Sequence, residues 1–151
     1  MTHWTVFIDG ASRNNPGNAG AGIYIIKDGV AVLERGYYLG KKTNNQAEYL
    51  SAIIGLYHIK EVLRSGETVR LVSDSELVVK QLRGIYKVRH PELKSLHALA
   101  HMMVHDCKAH VEHVLRTENI EADRMANQGI NLKNPVPESI VSYLELHDIR
   151  L

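Results

Sequence analysis

The stretch WTVFIDGASRNNPGNAGAGIYII, residues 4–26, decides how the rest of the chain is arranged. Residues 4–8 form a short apolar run rich in β-branched and aromatic side chains, which predicts a strand. This run ends at Asp9-Gly10, and the dense cluster of Asn, Gly and Pro that follows it indicates a turn. Residues 21–26 predict a second strand, so Asp9 is expected at the end of the first one.

A third strand follows at residues 30–39, after the Asp28-Gly29 pair that is typical of a tight hairpin. The first three strands are therefore predicted to form an antiparallel meander. A helix begins near Thr43, because Thr43 and Gln46 match the capping-box pattern. Its buried face is marked by apolar residues at helical spacing, and Ser65-Gly66 is expected to end it. These apolar residues are Leu50, Ile53, Ile54 and Tyr57.

The second half of the chain alternates helices with two more strands. The expected elements are a strand at 69–72, a short helix capped by Ser75, a helix opened by Pro91, a strand at 110–115, a helix capped by Asn119 and a terminal helix in the tail. The order predicts an α/β fold with a five-stranded mixed sheet, three antiparallel strands followed by two parallel ones, and helices on both faces. We expect one domain at 1–134, with a C-terminal helical tail at 135–151 that packs on it or extends from it.

Length and composition suit one compact domain of 151 residues. The single cysteine, Cys107, excludes an internal disulfide framework, and no apolar run approaches the roughly 20 residues of a membrane helix. A monomeric cytoplasmic protein is expected. The net charge of +1 is low for a nucleic-acid-binding protein, but it includes the four acids discussed next. The rest of the chain is mildly basic.

Four acids stand out by their positions. Asp9 and Asp74 end predicted strands, and Glu48 and Asp123 lie in the first turns of predicted helices. In mixed α/β sheets functional sites gather at strand ends and helix starts, so the four side chains can converge. Clustered carboxylates repel one another, and hard divalent cations such as Mg²⁺ relieve that repulsion. Taken singly, an acid at such a position is more often a helix cap or a solvated side chain.

Three histidines, His97, His101 and His105, recur every four residues on one predicted helix. Residues in line along one helix cannot surround a single ion, and no Cys or acid completes a zinc set there. We therefore do not expect a zinc site.

Four sequence blocks carry a family resemblance: FIDGASRNNPG at 7–17, TNNQAEYLSAI at 43–53, SDSELVVKQL at 73–82 and RTENIEADRMAN at 116–127. In order and approximate separation they resemble the signature blocks of the type 1 ribonuclease H family. The resemblance covers residues 4 to 130. It implies a five-stranded mixed sheet and cleavage of the RNA strand of RNA–DNA hybrids.

The resemblance also implies roles for the four acids. Asp9 would bridge two Mg²⁺ ions, for which Mn²⁺ can substitute, and Asp123 would help hold the ion that activates the attacking water. Glu48 and Asp74 would help hold the ion at the leaving 3′ oxygen. The products would carry a 5′-phosphate and a 3′-hydroxyl.

Substrate contacts are implied at further positions. Asn15, Asn44 and Asn45 match family positions that meet the hybrid in its minor groove, where an amide can both donate to and accept from 2′-hydroxyls. Helix capping and turn formation are the alternatives for these asparagines. Lys41 and Thr43 resemble a pocket that holds a DNA phosphate, and a surface lysine beside a helix cap is the alternative.

The chain departs from the family in three places. Glu76 stands where many members have Gln, so a donated contact to a base is in doubt there. The segment QLRGIYKVRHP at 81–91 lacks the Lys- and Trp-rich handle of many members. Tyr86, Lys87 and Arg89 could supply a smaller basic and aromatic contact to the DNA strand, and a solvated loop is the alternative. A glycine-flanked histidine loop before Asp123 is also missing. These features resemble a compact subgroup found in archaea and some bacteria, for some of which cleavage of double-stranded RNA is a further activity.

Two other functions remain open from the sequence. A hybrid-binding module without catalysis would not need four acids. Another polynucleotide transferase of the same superfold, such as an integrase-like domain, would not explain the paired asparagines at 44–45.

Overall fold

Five strands and five helices make up the chain, described over residues 1–151 by a computed structural model. The strands are β1 (His3–Ser12), β2 (Gly17–Lys27), β3 (Val30–Lys42), β4 (Thr68–Ser73) and β5 (His110–His113). The helices are α1 (Asn44–Lys60), α2 (Glu76–Leu82), α3 (Pro91–Cys107), α4 (Ile120–Leu132) and α5 (Glu138–Leu146), with a 3₁₀ turn at Arg116–Glu118. No helix combines the length and the apolar character needed to cross a membrane.

The sheet has the strand order β3-β2-β1-β4-β5. The pairs β1–β2 and β2–β3 are antiparallel, whereas β1–β4 and β4–β5 are parallel. Parallel pairs need crossover connections, and these are supplied by α1 before β4 and by α2 and α3 before β5. The predicted fold class is confirmed. Because Ile8 pairs with Ser73, the residues that follow them, Asp9 and Asp74, lie side by side at one end of the sheet.

Helices cover both faces of the sheet. Gly55 of α1 lies against the side chains of Ile8 and Ile23. Side chains of successive strand residues point to opposite faces, so Gly22 points away from α1. A Cβ on Gly22 would collide with the Ala122 carbonyl of α4, which shows that glycine lets α4 approach the other face closely. This packing fixes the start of α4 relative to β2.

The hydrophobic core lies between the sheet and the layer formed by α1 and α3. Tyr49, Ile53 and Leu56 of α1 are fully buried in it, and Leu99 and Met103 of α3 pack against them. The tail also contributes apolar side chains to this same core cluster, namely Val136, Ile140, Leu144 and Ile149.

Several element boundaries differ from the expected ones. The capping box of Thr43 and Gln46 at the start of α1 is confirmed. The helix ends at Lys60 rather than at 65–66, because the N–H groups of Val62 and Leu63 both donate to the Ile59 carbonyl and close a tight turn. Strands β1, β2 and β3 extend beyond their apolar runs, since backbone ladder bonds do not require apolar side chains. Asp9 therefore lies within β1 rather than at the expected strand end.

Two elements near the C-terminus are also corrected. β5 ends at His113, two residues before the expected end, and the chain then enters the 3₁₀ turn. Asn119 occupies the N-cap position of α4, but its side chain makes no capping hydrogen bond. Its amide instead donates to the Ile8 carbonyl in the interior.

Candidate active site

The four acids singled out from the sequence line one cleft of about 420 Å³. Asp9 lies in β1, Asp74 directly after β4 and Asp123 in the first turn of α4. Glu48 lies in the second turn of α1 rather than in the expected first turn, because the helix begins at Asn44. The cleft thus collects side chains from four elements that are distant in sequence. Its other lining residues are Gly10, Ala11, Ser12, Asn44, Asn45, Ser75 and Arg116.

Three of the acids form a tight group. One carboxylate oxygen from each of Asp9, Glu48 and Asp74 lies within 4.8 Å of the others. Asp123 lies outside this group and is exposed, but it is within hydrogen-bonding reach of Asp9. Asp9 therefore connects the other two acids of the group with Asp123.

A close approach of α1 to β1 places Glu48 beside Asp9. The Glu48 carboxylate accepts a hydrogen bond from the backbone N–H of Gly10. A Cβ at Gly10 would collide with the backbone of Ala47 and Glu48, so only glycine lets the helix come this near. The Asp-Gly pair at the end of the apolar run is thus a structural requirement of the cleft.

Burial and mutual repulsion shift the acids away from their ordinary ionisation. The pKa of Asp9 is raised chiefly by burial, and next by the charges of Glu48 and Asp74. Burial also raises the pKa of Glu48, while the Gly10 N–H opposes this shift. A cation would favour the ionised forms of all three groups. The donors are exclusively carboxylate oxygens, which suits hard ions such as Mg²⁺ or Mn²⁺ better than zinc.

Two of the three asparagines expected at the substrate surface, Asn15 and Asn44, are linked by a hydrogen bond. The Asn44 side chain accepts a hydrogen bond from the Ser12 N–H at 3.0 Å, and the Asn15 side chain accepts one from the Asn44 N–H at 2.9 Å. They therefore tie the β1–β2 turn to the start of α1. Asn44 and Asn45 line the cleft, whereas Asn15 is exposed beside it. The side chain of Asn45 makes no protein hydrogen bond, so its amide is free for a ligand.

Three other expected contact residues lie outside the cleft lining. Lys41 is exposed near the end of β3, and the Thr43 hydroxyl accepts the Gln46 N–H as the cap of α1. Glu76 is exposed at the start of α2, where Lys80 donates to its carboxylate at 2.7 Å. Their substrate contacts remain predictions.

Arg116 is the cleft residue that sequence reasoning missed. It is exposed, forms no ion pair and is the only basic side chain that lines the cleft. The 3₁₀ turn before α4 brings it there in place of a longer loop. Its position as the first residue of the block at 116–127 was the available signal. Ser12 and Ser75 were not expected in the lining either.

The strand order β3-β2-β1-β4-β5 matches that of solved ribonuclease H structures. The chain belongs to the ribonuclease H family, whose family model, RNase H, matches residues 1–131. This match covers 131 of the 151 residues and includes all four acids.

Curated relatives from bacteria and archaea show the same kinship. Bifunctional protein Rv2228c of Mycobacterium tuberculosis is 36% identical over 127 residues, which cover 82% of this chain and 34% of that protein. Ribonuclease HI of Halobacterium salinarum is 35% identical over 127 residues, which cover 83% of this chain and 63% of that protein. The chain thus spans about a third of the length of the mycobacterial relative.

Solved structures agree with the fold. RNase H1 from Halobacterium salinarum superposes with a TM-score of 0.80 at 34% identity, over 85% of this chain and 98% of that one. LC11-RNase H1, solved in complex with an RNA/DNA hybrid, superposes with a TM-score of 0.77 at 31% identity, over 87% of this chain and 98% of that one.

Proposed function

We propose that this protein is an endonuclease that hydrolyses the RNA strand of RNA–DNA hybrids with the help of two divalent metal ions. The observation that carries the proposal is the group of three carboxylates within 4.8 Å, with Asp9 and Glu48 buried, Asp74 half-buried and Asp123 beside it. A cluster of this kind is costly without cations, and no basic side chain of the cleft forms an ion pair with it. The hybrid bound in the structure of LC11-RNase H1 supports the choice of substrate.

The chain's own groups hold the cations and position the substrate. Asp9 belongs to the group with Glu48 and Asp74 and is also within hydrogen-bonding reach of Asp123. It would therefore contribute to holding both ions. Bound ions at such a site activate water and stabilise the leaving oxygen of an in-line displacement. The Gly10 N–H holds one oxygen of Glu48, so this carboxylate is presented in a fixed orientation.

Recognition of RNA is proposed to depend on the amide groups beside the acids. The nucleophile in this scheme is water, so the 2′-hydroxyl must be sensed by contact rather than by reaction. Asn45 offers a free amide in the cleft, and Asn44 is held in place by Ser12. Both the donor and the acceptor of an amide can meet a 2′-hydroxyl. The unpaired guanidinium of Arg116 is suited to a phosphate near the acids.

A groove next to the cleft is suited to bind the DNA strand of the hybrid. This groove, of about 490 Å³, shares Asn45 with the cleft and continues along Tyr86, Lys87, Arg89 and His90. The ammonium of Lys80 lies 4.9 Å from the centre of the Tyr86 ring and helps to fix it. Cationic and aromatic side chains in one groove suit the phosphates and sugars of a DNA strand. The groove would take the place of the missing handle.

The chemistry of the products tests the reaction directly. A hybrid with RNA labelled at either end is cleaved in Mg²⁺, and the new ends are assayed by enzymatic ligation and by primer extension. We expect 5′-phosphate and 3′-hydroxyl ends. A 2′,3′-cyclic phosphate would show that the 2′-hydroxyl attacks and would contradict the proposed mechanism.

A further inference from the structure

Asn119 is the most deeply buried amide side chain near the cleft, with only 1% of its surface exposed. Its Nδ2 donates a hydrogen bond of 2.8 Å to the carbonyl oxygen of Ile8. Ile8 directly precedes Asp9, and it lies 111 residues from Asn119 in the sequence. The contact therefore joins β1, at the residue before Asp9, to the start of α4.

The backbone of the same residue is bonded to the fourth acid. The Asn119 carbonyl accepts the N–H of Asp123 at 3.1 Å, which is the first intrahelical bond of α4. Through its side chain and its backbone, Asn119 thus contacts the chain beside Asp9 and the chain of Asp123. Asp9 and Asp123 also lie within hydrogen-bonding reach of each other.

The Asn119 side chain does not make the capping hydrogen bond that its position at the start of α4 favours. An asparagine at an N-cap normally accepts a hydrogen bond from the first turn of its helix, and α4 has no such side-chain cap. The Asn119 Oδ1 atom is buried and has no partner. A buried acceptor without a partner is unfavourable, and such groups in native structures call for an explanation.

We propose that Asn119 is a positioning residue that sets the separation of Asp9 and Asp123 for metal binding. The inference rests on the proposed two-ion function. The hydrogen bond to Ile8 holds the start of α4 against β1 next to Asp9. The carboxylate of Asp123 therefore stays close enough to Asp9 for both to hold one metal ion. Loss of the amide lets α4 shift along the sheet and weakens the ion shared by these two acids.

Asn134 offers a matched control at the opposite end of the same helix. It follows α4, and its Nδ2 donates to the Gly36 carbonyl of β3 at 3.3 Å. Both asparagines therefore tie α4 to the sheet by an amide-to-carbonyl bond. Only Asn119 lies beside the acids, so a purely structural role predicts the same behaviour for both.

The test compares Asn119→Ala and Asn134→Ala with the wild type. Mg²⁺ binding is measured by calorimetry, hybrid cleavage is titrated with Mg²⁺, and melting is followed in EDTA. For Asn119→Ala we expect Mg²⁺ affinity to fall by roughly 10- to 100-fold, as is typical when a group that orients metal ligands is lost. The KM for the hybrid is expected to stay near the wild-type value. Asn134→Ala is expected to melt earlier but to bind Mg²⁺ normally.

Equal Mg²⁺ affinity in the two variants would overturn the inference, even if both melt earlier. Asn119→Ser, which removes less volume, serves if the alanine variant does not fold, and the same comparison of metal affinity applies. Failure of the wild type itself to bind Mg²⁺ or cleave the hybrid would contradict the proposed function instead. A wild type that does both, beside an unaffected Asn119→Ala, would contradict the positioning role alone.

Discussion

The carboxylate of Glu48 accepts a hydrogen bond from the backbone N–H of Gly10, the residue directly after Asp9. The second acid of the cleft is thus fixed to the chain that carries the first. This bond requires the start of α1 to lie almost in contact with β1, where no side chain fits. The glycine is therefore as much a part of the site as the acids are.

Replacement of Gly10 by alanine tests this relationship. The new Cβ would collide with the backbone of Ala47 and Glu48, so either α1 must move or the strand must bend. Overpacking of this kind costs roughly 1–3 kcal/mol of stability. We expect a lower melting temperature and a loss of Mg²⁺ affinity, measured by calorimetry on the folded variant. Unchanged melting and metal binding would show that the close approach is not required.

The pH dependence of stability should report the repulsion within the cluster. The pKa values of Asp9 and Glu48 are raised above their usual 3.8 and 4.5, mainly by burial. The folded protein therefore holds protons that the unfolded chain has lost, so metal-free stability should fall as the pH rises from about 5 to about 8. Mg²⁺ should reverse this fall, because it binds the ionised carboxylates of the folded state.

Asp9→Asn is the control for this pH effect. It removes one carboxyl group that is costly to ionise in the folded state, so its melting temperature in EDTA should vary less with pH and should match or exceed that of the wild type at neutral pH. Burial lowers the pKa of His58, which changes stability in the opposite direction in both proteins. The difference between the two melting curves isolates the cluster. Parallel curves would contradict the predicted repulsion.

Arg116 should matter for cleavage without supporting the fold. It lines the cleft, is exposed and forms no ion pair. Arg116→Ala should therefore reduce cleavage of the hybrid by roughly tenfold or more, in line with the loss of a hydrogen bond to a charged group. Melting should be unchanged. Arg64→Ala, at an exposed site outside the cleft lining, is the matched control, and equal activity of the two variants would remove Arg116 from the substrate site.

Asn44 and Asn45 are expected to differ, because only Asn44 also supports the fold. Asn45 has a free amide in the cleft, so Asn45→Ala should weaken hybrid cleavage and leave both melting and Mg²⁺ binding intact. Asn44 accepts from Ser12, so Asn44→Ala should also lower the melting temperature. Kinetics and calorimetry on both variants decide this. Loss of Mg²⁺ binding in Asn45→Ala would indicate that it supports the helix carrying Glu48 rather than the substrate.

The sequence was informative where local chemistry and topology agree. The capping box at Thr43 marks the start of α1, and the helix it begins presents Glu48 to the cleft. Asp9 and Asp74 follow apolar runs, and parallel pairing of β1 with β4 necessarily brings such residues together. The sequence indicated only that the acids could converge, and the pairing of β1 with β4 that joins them is seen in the fold.

Other features depend on contacts between distant segments. Asn119 has the sequence signature of a helix cap, and only the tertiary fold shows that its amide turns to Ile8. Arg116 reaches the cleft through an irregular turn, for which no periodic pattern exists. Glu76 is paired with Lys80 one helical turn away, an arrangement that competes with any contact to a base.

The most direct test of the central claim is a cleavage assay with one labelled RNA strand presented in three ways. The strand is paired with DNA, paired with RNA or left single, and each form is incubated with Mg²⁺ or with EDTA. Asp9→Asn serves as the inactive control. We predict rapid Mg²⁺-dependent cleavage of the RNA paired with DNA and none in EDTA or with the variant. Hybrid left intact by the wild type in Mg²⁺, or cut equally well by Asp9→Asn, would contradict the account.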